Sequence, residues 1–321
     1  MIPRIGDVLA REDHFLVVTH INPDGDAIGS LLGLHLALVE MGKTSFALTR
    51  DRVPEQYTFL PGVSRILNDT GRITEPPHWI VSLDVATESR ISGDIAAFRK
   101  NARLVNIDHH PTNPGFGDIN LVEPGATSTA ELVFRVLSAA GYRLSRDVGK
   151  CLFTGLAADT GCFRFAGVTD RTLKIGAALL EAGFGAYEVT RHLYEEYPLR
   201  RLQLERLLLE RAEILLGGKL VISTLFAQDF QRLGAEFSDS EGLVDKLRDN
   251  RGVAAGVLMT LLSDNIVRVS FRSKDELDVS AIAGLFGGGG HRRAAGLRSE
   301  LPLLELKKSI IEAVSDALYS K

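Results

Sequence analysis

Eight acidic and imidazole side chains in the first half of the chain could together bind metal ions. They follow or lie within apolar segments, in chain order His20, Asp24, Asp26, Asp84, Asp108, His109, His110 and Asp159. Carboxylates that converge in a dry environment repel one another and are costly to desolvate unless cations neutralise them. Two divalent ions supply this charge, and mixed carboxylate and imidazole ligands favour Mn²⁺ or a similar metal over Ca²⁺. The pattern predicts a two-metal site in which a strand-end aspartate such as Asp84, reached from both sides, bridges the ions.

Each motif has a simpler interpretation when it is taken alone. The segment "NPDGD" (22–26) has the composition of a turn, and it also resembles the start of a calcium-binding loop. The calcium loop is excluded because Ile28 occupies the fifth ligand position and His35 occupies the position of the closing glutamate. Asp84 alone could cap the helix that follows it. The prediction of a metal site therefore depends on the motifs acting together.

The elements that must position these residues belong to an α/β domain. Strands are predicted for 15–20, 45–49, 79–85 and 103–108. Helical patterns occupy 27–41, 127–140, 146–158 and 170–183, and Ser128 and Glu131 have the spacing of a capping box. Continuous apolar strands are typical of a parallel sheet covered on both faces. Because ligand crevices lie at the carboxyl ends of such strands, this sheet would bring the eight residues to one edge.

The second half of the chain predicts a helical linker and a smaller α/β domain. Residues 186–216 are strongly helical and charged, and Pro198 is expected to break them into two helices. Strands are predicted for 219–226, 253–262 and 265–273, with a hairpin turn at Asp264-Asn265.

The composition excludes several classes of protein. The net charge of −4 disfavours a protein that grips long duplex nucleic acid through its phosphates. No apolar run approaches the length of a membrane span, and the first residues meet charge too early for a signal peptide. The two cysteines, Cys151 and Cys162, form neither a disulfide framework nor a zinc site. We therefore expect a cytoplasmic enzyme.

Four motifs resemble those of the DHH phosphoesterase superfamily. They are, in order, "HINPDGDAIGS", "SLDVA", "NIDHHPTN" and "GLAADTG". The C-terminal segment "VSFRSKDELDVSAIAGLFGGGGHRRAAG" resembles the DHHA1 domain, and the whole chain is most similar to the group of bifunctional oligoribonucleases and pAp phosphatases. The resemblance implies a DHH domain over 1–185, a linker over 186–216 and a DHHA1 domain over 217–321. It places the active site in the cleft between the two domains.

The resemblance also implies a role for each candidate residue. One metal ion would be held by His20, Asp24 and Asp84. The other would be held by Asp26, Asp84, His109 and Asp159. His110 would face the substrate phosphate as a ligand or general acid, and Asp108 would orient the histidines from behind.

A glycine-rich segment in the second half is the candidate substrate-binding region. It consists of Gly287, Gly288, Gly289, Gly290 and the following His291. Taken alone it could be a flexible loop, and it is not a nucleotide-triphosphate loop because no Lys-Ser/Thr pair follows. The resemblance implies that this segment, with Arg272 and Ser273, holds the phosphates and ribose of the substrate.

The expected activity is hydrolysis of phosphate esters by metal-activated water. The expected substrates are short single-stranded RNA, giving mononucleotides, and 3'-phosphoadenosine 5'-phosphate (pAp), giving AMP. The expected cofactors are two Mn²⁺ ions, with Mg²⁺ or Co²⁺ as alternatives. A phosphodiesterase for cyclic dinucleotides or their linear products is the alternative, and a nucleotide-binding module without activity is a more distant one. The sequence leaves open which end of an RNA is attacked and which length is preferred. It also leaves open whether the protein forms a homodimer.

Overall fold

The structure, a computed structural model, describes residues 1–262, 266–274 and 277–319. Its contacts divide the chain into two compact units, Met1–Glu196 and Tyr197–Lys321. The segment predicted to be a linker, 186–216, contributes a helix to each unit, and Pro198 separates these two helices as predicted.

The first unit contains a six-stranded parallel sheet in the order β3-β2-β1-β4-β5-β6. Its strands are β1 (Phe15–Val18), β2 (Ser45–Leu48), β3 (Ile66–Leu67), β4 (Trp79–Leu83), β5 (Arg103–Asp108) and β6 (Ile119–Val122). Every residue of β1 and β4 is buried, because apolar clusters cover both faces of the sheet. The parallel sheet predicted from these apolar runs is confirmed. Strands β3 and β6 were not predicted from the sequence.

Helices flank this sheet and carry part of the candidate site. They are α1 (Ile2–Arg11), α2 (Gly25–Glu40), α3 (Ala96–Arg99), α4 (Thr129–Ala139), α5 (Arg146–Asp159), α6 (Asp170–Leu180) and α7 (Ala186–Tyr194). Helices α2 and α5 approach so closely that a Cβ on Gly29 would lie 2.5 Å from Cys151 O. This approach matters for function, because α2 carries Asp26 and α5 ends at Asp159.

The second unit contains a mixed six-stranded sheet in the order β11-β12-β10-β9-β8-β7. Its strands are β7 (Glu213–Leu215), β8 (Leu220–Phe226), β9 (Ala255–Leu261), β10 (Val267–Ser273), β11 (Gly289–His291) and β12 (Ala294–Ser299). Its helices are α8 (Leu199–Glu210), α9 (Ala227–Leu233), α10 (Leu243–Arg248), α11 (Val279–Gly284) and α12 (Leu303–Tyr319). Strands β8 and β9 are parallel, whereas β9 and β10 are antiparallel. The turn predicted at Asp264-Asn265 lies outside the described residues.

Within the described part of the chain, no helix combines the length and the apolar character needed to cross a lipid bilayer.

Candidate metal centre

The eight predicted residues converge at the carboxyl ends of three adjacent strands. His20 follows β1, Asp84 follows β4 directly, and Asp108 is the last residue of β5. Since β1, β4 and β5 are neighbours in a parallel sheet, the segments that follow them meet at one edge. Helices add Asp24 and Asp26 at the start of α2, and Asp159 at the end of α5. We call these residues, together with His109 and His110, the carboxyl-edge cluster.

The first group of donors in the cluster consists of His20, Asp24 and Asp84. Their ligand atoms lie within 4.8 Å of one another. Nε2 of His20 is 3.8 Å from Oδ1 of Asp24 and 3.5 Å from Oδ2 of Asp84. Nδ1 of His20 lies 2.9 Å from the carbonyl oxygen of Ile21, which directs Nε2 toward the carboxylates. These three side chains can share a cation.

The second group of donors consists of Asp26, His109 and Asp159, again within 4.8 Å of one another. Nε2 of His109 is 3.2 Å from Oδ2 of Asp159 and 3.9 Å from Oδ2 of Asp26. Nδ1 of His109 lies 3.3 Å from the carbonyl oxygen of Ala126. Each histidine therefore has one ring nitrogen at a backbone carbonyl and the other at the acids, the usual arrangement of metal-binding imidazoles.

Asp84 lies between the two groups. Its Oδ2 faces His20, and its Oδ1 is 3.5 Å from Nε2 of His109. The backbone at Asp84 has a φ of +61°, a left-handed conformation that costs about 1 kcal/mol or more in a non-glycine residue and often marks functional sites. Burial alone would raise the pKa of Asp84, but hydrogen bonding to His20 and the nearby imidazoles hold it well below its ordinary value. Asp84 has the geometry of a carboxylate that two cations can share.

His110 has a different environment from His109. Its Nδ1 is 2.7 Å from Oδ1 of Asp108, which is fully buried. Asn113 Nδ2 donates to Oδ2 of Asp108 at 2.7 Å and to the carbonyl oxygen of Val85 at 2.9 Å. This chain of contacts fixes the imidazole through Nδ1 and leaves Nε2 directed away from Asp108.

The electrostatics of the cluster favour bound cations. Burial would lower the pKa of His109, but the neighbouring carboxylates, Asp159 foremost, raise it well above its ordinary value. The pKa of His20 is raised in the same way by Asp24 and Asp84 against the effect of burial. Burial raises the pKa of Asp26 well above its ordinary value, because a buried carboxylate resists ionisation without a counter-charge. Divalent ions supply that charge and leave the imidazoles neutral, so the donor set fits a metal pair.

The residues predicted to bind substrate lie in the second unit. Arg272 and His291 are both paired with Ala294, from opposite sides of β12. Nε of Arg272 is 3.7 Å from Oδ1 of Asp245. Ser273 is buried and donates its hydroxyl to the carbonyl oxygen of Leu277 at 2.7 Å, so in this structure it serves the fold.

Packing explains two of the four consecutive glycines. A Cβ on Gly288 would lie 2.4 Å from Gly296 O, and a Cβ on Gly290 would lie 2.6 Å from Ala294 O. Gly287 has a φ of +74°, and a Cβ on Gly289 would meet open space. The packing of the fold therefore does not account for glycine at position 289, which is exposed.

Two polar residues in contact with the cluster were not predicted from the sequence. Asn113 is the last residue of the motif "NIDHHPTN", but no role was predicted for it. Thr129 donates its hydroxyl to Oδ1 of Asp84 at 3.0 Å. It is 45 residues from Asp84 in the chain and carries no charge, so neither its spacing nor its type indicated this contact.

Two family matches together cover most of the chain. Residues 14–156 match the family described as "DHH family, N-terminal domain", and residues 217–320 match the "DHHA1 domain". The chain belongs to the DHH–DHHA1 family of phosphoesterases, which depend on divalent metal ions. The resemblance predicted from the four motifs is therefore confirmed.

Individual relatives agree with this family. "Bifunctional oligoribonuclease and PAP phosphatase NrnA" from Thermus thermophilus is 34% identical over 98% of this chain and 93% of its own length. "Cyclic-di-AMP phosphodiesterase PdeA" from Listeria monocytogenes is 26% identical over 96% of this chain but only 48% of its own length. The crystal structure of an exopolyphosphatase-related protein from Bacteroides fragilis superposes with a TM-score of 0.88, at 26% identity, over 98% of this chain and 95% of that one.

Proposed function

We propose that this chain hydrolyses phosphate esters with two divalent metal ions held by the carboxyl-edge cluster. One ion is assigned to His20, Asp24 and Asp84. The other is assigned to Asp26, Asp84, His109 and Asp159. The observation that carries the proposal is the position of the Asp84 carboxylate, with one oxygen facing each group of donors. Mn²⁺ is the metal that best suits this mixture of carboxylates and imidazoles, with Mg²⁺ or Co²⁺ as alternatives.

Of the remaining residues of the cluster, His110 is assigned to the substrate and Asp108 to the positioning of His110. When bound, the metal pair lowers the pKa of water and neutralises charge that develops on the phosphate oxygens. His110 presents Nε2 to the phosphate, either to hold an oxygen or to protonate the leaving oxygen. Asp108 accepts a hydrogen bond from the Nδ1–H of His110 and keeps the ring in this orientation, and Asn113 donates a hydrogen bond to Asp108 in turn.

The proposed substrates are short oligoribonucleotides, cleaved to mononucleotides, and pAp, cleaved to AMP. The similarity to NrnA of Thermus thermophilus over nearly the full length of both chains supports this choice. In the second unit, Arg272, His291 and the exposed backbone at Gly289 are the candidate contacts to phosphate and ribose. The cytoplasmic location expected from the sequence stays a prediction.

A second candidate activity is hydrolysis of cyclic dinucleotides or of linear dinucleotides. The similarity to PdeA supports it, although this chain spans about half of that protein. The two candidates share the same metal centre and the same chemistry. A cyclic dinucleotide differs from the substrates of the first candidate because it has no free end, whereas a linear dinucleotide is the shortest of those substrates.

A panel of substrates tests the proposal. The purified protein would be supplied with Mn²⁺ and with pAp, linear and cyclic dinucleotides, and RNA of two to about ten nucleotides labelled at either end. We expect turnover of pAp and of the shortest RNA, and none by the Asp84→Asn variant. Preferred turnover of a cyclic dinucleotide would favour the second candidate. Absence of Mn²⁺-dependent turnover of every substrate would contradict both.

A further inference from the structure

Thr129 contacts two carboxylates of the carboxyl-edge cluster at once. Its backbone N–H donates to Oδ2 of Asp26 at 2.6 Å, and its hydroxyl donates to Oδ1 of Asp84 at 3.0 Å. The next N–H, of Ala130, donates to Oδ1 of Asp26 at 2.9 Å. Thr129 is fully buried. The first turn of α4 therefore joins an acid from α2 to an acid from the end of β4.

The buried carboxylate of Glu131 stabilises the first turn of α4. Ser128 caps α4 by accepting the N–H of Glu131 at 3.1 Å, which confirms the predicted helix start, although the Glu131 side chain bonds Thr127 and not the N–H of Ser128 as in a full capping box. Oε2 of Glu131 accepts the N–H of Thr127 at 3.2 Å and its hydroxyl at 2.9 Å. Oε1 of Glu131 lies 2.7 Å from Nε of Arg171, at the start of α6. Because Glu131 is fully buried, its contacts with Thr127 and Arg171 hold the first turn of α4 in place, and with it the backbone that carries Thr129.

The hydroxyl of Thr129 restrains rotation about the Cβ–Cγ bond of Asp84. A carboxylate shared by two cations needs each oxygen to face its own cation, but rotation about the Cβ–Cγ bond of an aspartate is broad. At Asp84, the contact with Thr129 holds Oδ1 on the side of His109, while Oδ2 stays on the side of His20. A single hydroxyl donor uses one lone pair of Oδ1 and leaves the other for a cation.

We propose that Thr129 is a positioning residue, which sets the orientation of Asp84 and thereby the affinity of the centre for the ion assigned to Asp26, Asp84, His109 and Asp159. This inference rests on the metal assignment made under the proposed function. Residues that hold metal ligands in place typically change metal affinity 10- to 100-fold when they are mutated. Thr129→Val removes the hydroxyl but keeps the shape of the side chain and the N–H that serves Asp26.

The test measures Mn²⁺ binding to the full-length, metal-free protein in the absence of substrate. Calorimetry and electron paramagnetic resonance are the two methods of measurement. We expect Thr129→Val to weaken the binding of at least one ion about 10-fold or more, and Thr129→Ser, which keeps the hydroxyl, to stay within about threefold of wild type. Thr154→Val is the matched control, because Thr154 is equally buried but donates to the carbonyl oxygen of Lys150 within α5. This control should lose stability without losing Mn²⁺ affinity.

Two results would overturn the inference. One is wild-type Mn²⁺ affinity in Thr129→Val, and the other is equal loss in Thr129→Ser and Thr129→Val. If Thr129→Val does not fold in the absence of metal, Thr129→Ala removes the same hydroxyl from a smaller side chain and carries the same prediction. A wild-type protein that binds two Mn²⁺ ions but hydrolyses neither pAp nor short RNA would refute the proposed function alone, since the binding comparison stands without turnover.

Discussion

The carboxyl edge of the first sheet and the glycine-rich hairpin of the second sheet are built on opposite principles. At the carboxyl edge, buried acids are held by hydrogen bonds from helix α4, by the left-handed backbone of Asp84 and by three imidazoles. In the hairpin β11-β12, the candidate contact is the exposed backbone at Gly289, and the cationic side chain of Arg272 lies on the neighbouring strand β10. Under the proposed function we therefore expect a division of labour, in which the first region would perform the chemistry and the second would select the substrate.

The largest effect should follow from removing a ligand at the carboxyl edge. His109→Ala deletes the imidazole that faces three carboxylates, so we expect kcat for pAp and for short RNA to fall by about 10³-fold or more. The measurement is steady-state hydrolysis at saturating Mn²⁺, with circular dichroism to confirm folding. His192→Ala is the control, because His192 stacks on Phe59 and is not part of the cluster. A loss confined to one substrate would contradict the division of labour.

A buried histidine outside the cluster tests whether neighbouring carboxylates, rather than burial, determine the pKa of the cluster histidines. His35 is buried on α2, with Nδ1 3.0 Å from the hydroxyl of Ser45. Burial, aided by the charge of Arg65, lowers the pKa of His35 to about 4, whereas carboxylates raise that of His109. Between pH values of about 6.5 and about 4, the unfolded chain therefore binds a proton at His35 that the folded protein does not bind. His35 lowers the free energy of unfolding of the wild-type protein as the pH falls from about 6.5 to about 4.

The variant His35→Gln should therefore be less sensitive to acid. We expect its free energy of unfolding to fall by about 3 kcal/mol less than that of the wild type between pH 7.5 and pH 4. Urea unfolding of the metal-free proteins at a series of pH values measures this difference. Parallel pH profiles for the two proteins would show that His35 keeps an ordinary pKa despite its burial.

The sequence predicts the carboxyl edge better than the hairpin, for physical reasons. Strand ends in a parallel sheet share an edge, so apolar runs that end in His20, Asp84 or Asp108 are enough to predict a cluster. The hydroxyl of Thr129 reaches that cluster only because α4 packs beside α2, which spacing along the chain does not reveal. Strand β11 was missed because its glycines carry no apolar pattern, and β3 because it has two residues.

The smallest effect should separate two neighbouring glycines of the hairpin. Gly288→Ala places a Cβ against the backbone of Gly296, so we expect a loss of about 2 kcal/mol in the free energy of unfolding. Gly289→Ala meets open space and should leave that free energy within about 0.5 kcal/mol of wild type. If the backbone at Gly289 contacts a substrate phosphate, the added methyl should raise KM for pAp several-fold and change kcat less than about twofold.

Denaturant unfolding and steady-state kinetics on the same preparations distinguish these outcomes. An unchanged KM in Gly289→Ala would mean that the backbone at Gly289 does not contact the substrate, and that the segment serves the fold through the close packing of Gly288 and Gly290. Substrate selection would then fall to side chains such as Arg272 and His291. A fall in kcat with no change in KM would instead place Gly289 in the chemical step, and the two regions would no longer divide the work between them.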